Sequence, residues 1–326
     1  MSGSNRSHIP SDVELSAGHR LDRIEDRAIG RRREIEVVLA ALSSGRNIVL
    51  EGPPGTGKST LLRAVAALLD TTLVFVEGNA ELTPARLLGA HDPALVLERG
   101  YSADTYVDGP LVRAMREGAM LYLEELNRIP EETLNLLITA MAEREAHIPR
   151  VGAVHADPAF RVVAAMNPFD SVGTARVSGA FADRANRVGM GYQLADDERR
   201  IVEAAVGVEH LGAKLIDRAV EITRATRTDS EVRVGSSVRG AIDLVHIAVG
   251  LAELREVPVD HPDVTLDAAM AALTGRIQLH DGLSSEPEPV VERLWRRIFA
   301  DAGEPPAAPA GKGQAPRLQG PAPAVT

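Results

Sequence analysis

Apolar residues recur along the chain with two different periods, and the switches between them mark out alternating elements. In Arg31–Leu42, the residues Ile35, Val38, Leu39 and Leu42 fall three and four apart, the spacing of one helix face. Asn47–Glu51 (NIVLE) is a short apolar run that ends at glycines, which reads as a buried strand. Ser59–Leu69 returns to helical spacing through Leu61, Leu62, Val65, Ala66 and Leu69. The same reading predicts strands over Thr72–Glu77, Met120–Leu123 and Arg161–Ala165, and helices over Leu111–Glu117 and Glu131–Ala142. Strands separated by helices imply βαβ units, hence an α/β fold with a parallel sheet.

Beyond about residue 194 the pattern is helical throughout. Asp196–Val206, Leu211–Arg224, Ser237–Leu251, Leu266–Ile277 and Val290–Phe299 read as helices, and no strand is expected among them. The predicted organisation is an arm (1–20), an α/β nucleotide-binding core (21–193), an all-helical domain (194–302) and a Pro/Ala/Gly-rich tail (303–326). The arm lacks periodicity and is expected to be flexible, and the tail lacks the apolar residues that offset ordering entropy and is expected to be disordered.

Composition narrows the chemistry. With 36 Lys plus Arg against 46 Asp plus Glu, the formal net charge is −10, which fits poorly with a general nucleic-acid binder. Aromatics make up 3%, so base-stacking platforms are scarce. The absence of Cys excludes disulfides, thiolate-held metals and a thiol nucleophile. The chain has no apolar run of membrane-spanning length, and Met1–Pro10 is polar with no signal-like apolar stretch. The expectation is a cytoplasmic protein with no membrane span.

Gly52-Pro53-Pro54-Gly55-Thr56-Gly57-Lys58-Ser59, followed by Thr60, matches G-x-x-x-x-G-K-[ST] between an apolar strand and an amphipathic helix. Glycines let backbone N–H groups turn toward phosphate oxygens, and the following helix directs its positive end at the anion. Lys58 then reaches the β- and γ-phosphates, and the Ser59 hydroxyl ligates Mg²⁺. The bland alternative is a Gly/Pro turn, which the flanking strand and helix disfavour. A second apolar run, Met120–Leu123, ends in Glu124 and Glu125. Beside a phosphate loop, the first acid supports the metal and the second polarises a water as general base; alone, the pair would be a solvated strand end.

With these motifs the sequence resembles the AAA+ ATPases, and within them the MoxR-type branch related to the magnesium-chelatase ATPase subunit. The resemblance covers about residues 22–300 and rests on Asp108-Gly109-Pro110-Leu111, Leu123-Glu124-Glu125-Leu126-Asn127-Arg128-Ile129-Pro130 and Ala140-Met141-Ala142-Glu143. Glu124 departs from the family pattern, where Asp is usual, by one methylene. The resemblance implies a P-loop AAA+ core followed by a helical lid, ATP with Mg²⁺ as cofactors, and a homo-oligomeric ring, a hexamer of identical subunits. It also implies that Asn167 is the sensor-1 residue, that Arg184 is an arginine finger given to the neighbouring subunit, with Arg187 its competitor, and that Arg239 is sensor 2. Ile29-Gly30 would contact adenine, while Arg31-Arg32-Arg33 reads as a solvated helix face. His147–Pro158 would form a hairpin before sensor 1 and, with an insert near Glu81–Gly109, lie near a ring's pore.

The function this implies is ATP-driven remodelling, assembly or activation of a partner protein, often one with a von Willebrand factor A domain. The alternative is a nucleotide-dependent assembly switch with little hydrolysis, motivated by Glu124. A nucleic-acid motor and a small-molecule kinase fit less well. The former lacks a basic surface, and the latter has no need of the sensors and finger.

Overall fold

A computed structural model describes residues 24–25, 27–168, 178–207, 213–282 and 286–299. The predicted arm (1–20) and tail (303–326) lie outside them. The described chain forms two compact units. The first runs through the helix Ala195–Val206 and includes Ser237–Arg239; the second holds the remaining C-terminal residues. The sequence pattern instead sets that helix at the start of the second domain.

The first unit is built on five parallel strands. They are β1 (Asn47–Glu51), β2 (Leu73–Glu77), β5 (Met120–Glu124), β8 (Arg161–Met166) and β9 (Ala185–Gly189). Their order across the sheet is β2-β5-β8-β1-β9. Four of these match the predicted strands. β9 is not among the predicted ones, because its sequence ANRVG at the sheet's edge buries Val188 and exposes Asn186 and Arg187. β1 lies between β8 and β9, with Glu51 opposite both Met166 and Gly189.

Helices cover both faces, so the central strands are apolar on both sides. On one face Leu121 and Leu123 of β5 pack with Leu111, Met115, Leu134, Leu137 and Phe160. On the other, Met120 and Tyr122 pack with Ile35, Val38, Leu61, Leu62 and Val65. Burial of each such side chain stabilises the fold by about 1.5–3 kcal/mol. The helix Pro110–Glu117 shows how the termini are set. Proline occupies its first turn, where no N–H is needed, and Gly118 closes it in the left-handed conformation.

Two small antiparallel pairs flank the sheet: β3 (Gly89–His91) with β4 (Tyr106–Asp108), and β6 (Glu145–Ile148) with β7 (Gly152–His155). The second is the hairpin expected over His147–Pro158. Among the described residues, no helix is long and apolar enough to cross a membrane.

The second unit is mostly helical. Ala213–Ala225, Pro262–Leu273 and Pro287–Phe299 pack around the buried Trp295, whose Nε1 donates to Thr265 Oγ1 at 3.2 Å. Two details correct the sequence reading. The expected helix 266–277 starts at Pro262 and ends at Leu273, and a short pair, β10 (Val232–Val234) with β11 (Gln278–Leu279), stands where no strand is expected. Strands of two or three residues are too short for alternation to register.

Candidate nucleotide site

The loop Gly52–Gly57 joins the C-terminal end of β1 to the helix Lys58–Leu68. Gly52 allows close approach of the next chain segment, since a Cβ there would collide with the Met190 carbonyl oxygen. Gly57 caps the helix with φ 84°, a left-handed conformation that favours glycine. Thr56 is buried and its Oγ1 donates to the Pro53 carbonyl at 2.9 Å. Pro54 and Thr60 are exposed, one in the loop and one on the first helical turn. The arrangement is a strand–loop–helix turn whose helix N-terminus suits an anion.

Lys58 Nζ donates to the carbonyls of Gly52 and Pro53, both at 2.8 Å, which curls the side chain over the loop. Its pKa is lowered to about 8, mainly by burial; Glu124 opposes the shift, and the charges of Arg239 and Arg31 add to it. Arg239 belongs to the Ser237–Arg239 segment that packs with the first unit, and its charge is therefore felt at Lys58. An anion in the loop would relieve this crowding of cations.

Ser59 meets β5. Its Oγ donates to Glu124 Oε1 at 2.6 Å and lies 2.9 Å from the Tyr122 hydroxyl. Tyr122 is fully buried, and burial foremost pushes its phenol above the usual tyrosine range. A hydroxyl beside a carboxylate is a hard-oxygen donor set of the kind Mg²⁺ takes together with phosphate oxygens and waters. Among the described residues, no group of three or more His, Asp or Glu could hold a metal by itself.

Glu125 has a different partner. It has φ 52°, a left-handed conformation that costs a non-glycine residue roughly 1 kcal/mol, and its Oε2 pairs with Arg128 Nε at 2.5 Å. Its side chain is 41% exposed, open to water. Asn167 follows β8, beside β5 and β1, and its carbonyl accepts from Asn127 Nδ2 at 3.2 Å. Glu124, Glu125 and Asn167 therefore all stand at the strand ends that also carry the phosphate loop.

Arg184 stands elsewhere. It immediately precedes β9, whose first residue pairs with Asn47 at the start of β1. Its side chain is exposed, with Nη1 donating to the Ala180 carbonyl at 2.9 Å. The five residues of β1 separate it from the phosphate loop by about 16 Å of strand. Arg187 is instead tied to Glu51 at the other end of β1, with Nη2 donating to Oε1 at 2.9 Å.

Arg31 is a residue that the sequence reading misses. Its run of three arginines suggests a solvated face, yet it is 3% exposed. Its guanidinium donates to the carbonyls of Thr56 at 2.7 Å and Gly191 at 2.6 Å, and pairs with Glu34 at 2.9 Å. It thereby fastens the Ile29–Gly30 segment, the phosphate loop and the chain after β9 to one planar fork. Its position directly after Gly30 is visible in the sequence. Its partners, 25 and 160 residues away, are not.

These features define a phosphate-loop ATPase core: a parallel sheet flanked by helices, with the loop, a hydroxyl and acids at one strand end. Residues 47–185 match the AAA domain (dynein-related subfamily). A protein of Staphylococcus aureus strain USA300, itself described as uncharacterized, is 30% identical over 211 residues, covering 63% of this chain and 79% of the relative. One of Staphylococcus haemolyticus is 29% identical over the same length and shares. Among solved structures, a point mutant of RuvB from Thermotoga maritima superposes with a TM-score of 0.51 at 16% identity, over 77% of this chain and 72% of that one, a likeness of fold. The chain belongs to the AAA+ ATPase family, whose members generally bind ATP with Mg²⁺.

Proposed function

We propose that this protein is an ATP-hydrolysing AAA+ ATPase of the MoxR type that works as a homo-oligomeric ring, of six subunits, to remodel or activate a partner protein. The observation that carries the reading is the distance between Arg184 and the phosphate loop of its own chain. A guanidinium exposed at the opposite end of β1 serves the site only from a neighbouring subunit.

In this reading Gly52–Thr60 cradle the phosphates, Lys58 faces the β- and γ-phosphates, and Ile29–Gly30 face the adenine. Ser59 would hold Mg²⁺, with Glu124 behind it, and a metal bound there with ATP would supply charge neutralisation at the phosphate oxygens. Glu125 accepts a proton from the attacking water as its oxygen bonds to the γ-phosphorus and the bond to the ADP oxygen breaks. The left-handed turn and the exposure of Glu125 suit a base that must meet water. Asn167 orients that water or the γ-phosphate. Arg184 of the adjacent subunit stabilises the developing charge, and Arg239, whose charge is felt at Lys58, serves as sensor 2 for the γ-phosphate.

The client is a protein, of the von Willebrand factor A type by family resemblance, and the net charge of −10 speaks against nucleic acid in that role. A second reading, a nucleotide-driven assembly switch with slow turnover, draws on Glu124, whose carboxylate holds the Ser59 proton at 2.6 Å. The test is the steady-state ATPase rate per subunit against protein concentration with Mg²⁺, with mass measured in parallel with and without ATP. A rate that rises cooperatively as a ring forms supports the motor. ATP-dependent assembly without turnover supports the switch, and turnover by a monomer refutes the shared site.

A further inference from the structure

Tyr122 stands at the heart of this site with no role in the reaction as described. It lies on β5 two residues before Glu124, so both side chains leave the same face of the strand. Its ring is fully buried beside Phe75, with centroids 5.5 Å apart. A buried phenol must place its hydroxyl on a partner, and that partner is Ser59 Oγ at 2.9 Å.

The proton count at Ser59 fixes the direction of these bonds. A serine hydroxyl has one proton and two lone pairs. The proton goes to Glu124 Oε1 at 2.6 Å. The Ser59–Tyr122 bond is then donated by Tyr122, whose O–H also faces the Glu124 carboxylate, and it takes up one lone pair of Ser59. One lone pair remains. A side chain without a hydroxyl at position 122 would leave the rotation of Ser59 held by Glu124 alone.

We propose that Tyr122 is a positioning residue for the metal: with Glu124 it locks the rotation of the Ser59 hydroxyl, so that a single lone pair is left to offer Mg²⁺. This rests on the reading of Ser59 as the metal ligand. It also accounts for Glu124. A carboxylate one methylene longer than aspartate reaches the serine directly, and the Tyr122 hydroxyl completes the lock from the other side.

The test uses the full-length chain, Tyr122→Phe, and a fluorescent methylanthraniloyl-ATP as the probe. Binding is measured in EDTA and then across a Mg²⁺ titration, with Tm measured alongside. The expected result is unchanged affinity in EDTA, a half-effect Mg²⁺ concentration raised about three- to tenfold, and wild-type binding regained at high Mg²⁺. Tyr122→Leu, also lacking the hydroxyl, should give the same shift. In a Ser59→Ala background, Tyr122→Phe should add none. A Mg²⁺ titration that superimposes on wild type overturns the proposal, as does an equal loss of binding in EDTA and in Mg²⁺. Wild-type binding that ignores Mg²⁺ altogether would instead remove the reading of Ser59 on which the proposal stands.

Discussion

At the C-terminal ends of β1, β5 and β8 the chain sets glycines, an ammonium, a hydroxyl and two carboxylates; at the N-terminal ends of β1, β8 and β9 it sets Asn47, Arg161 and Arg184. The second group mostly serves the backbone. Asn47 Oδ1 accepts from the Val162 N–H at 2.9 Å and its Nδ2 donates to the Arg184 carbonyl at 3.4 Å. Arg161 Nη1 donates to the carbonyls of Pro158 and Phe160, both at 2.7 Å. Arg184 also donates to a backbone carbonyl, that of Ala180, but its side chain is exposed on this rim. Parallel strands share one direction, so a chain cannot bring its two rims together. A ring can, by setting the rim of one subunit against the loop of the next.

The largest effect should come from the loop itself. Lys58→Ala is expected to abolish nucleotide binding, read with a fluorescent ATP analogue; wild-type affinity would remove the phosphate-loop assignment. Next comes Glu125→Gln, which should bind ATP and stay assembled while turnover falls about 10²–10³-fold. Unchanged turnover would move the base elsewhere. Arg31→Met tests whether the buried fork matters to the site. It leaves the carbonyls of Thr56 and Gly191 unpaired, so stability should fall by about 3 kcal/mol in denaturant, and affinity about tenfold. A variant that lost stability but not affinity would make Arg31 purely structural.

The smallest effect is one of pH. Bound phosphates favour charged Lys58, whose pKa in the free site is lowered to about 8 by burial foremost. Below that pH the ammonium is charged before and after binding, so affinity should be flat. Above it a proton must be taken up on binding, and affinity should fall up to about tenfold per pH unit. Affinity that stays level to about pH 9.5 would contradict the burial of that ammonium.

Much of the active rim is legible in sequence because it is local. The phosphate loop occupies consecutive residues between a strand and a helix, and Glu124 ends a strand whose four apolar residues announce it. What sequence hides is contact across long separations. Arg31 reads as one of three exposed arginines because its carbonyl partners lie far along the chain. Tyr122 reads only as part of the apolar strand Met120–Leu123, because nothing in MLYLE shows that its hydroxyl meets Ser59. β9 escapes because its exposed Asn186 and Arg187 break the apolar run, and the different surroundings of Arg184 and Arg187 show once that strand is drawn. Arg187 is bound to the Glu51 carboxylate, whereas Arg184 donates to a backbone carbonyl.

The central claim is that the site is completed by Arg184 from the next subunit, and mixing tests it most directly. Arg184→Ala and Lys58→Ala proteins should each be nearly inactive. Mixed in equal amounts, they should recover activity, because roughly a quarter of randomly assembled interfaces pair an intact loop with an intact finger. A mixture as inactive as its components, in rings shown by mass to contain both, would contradict the account.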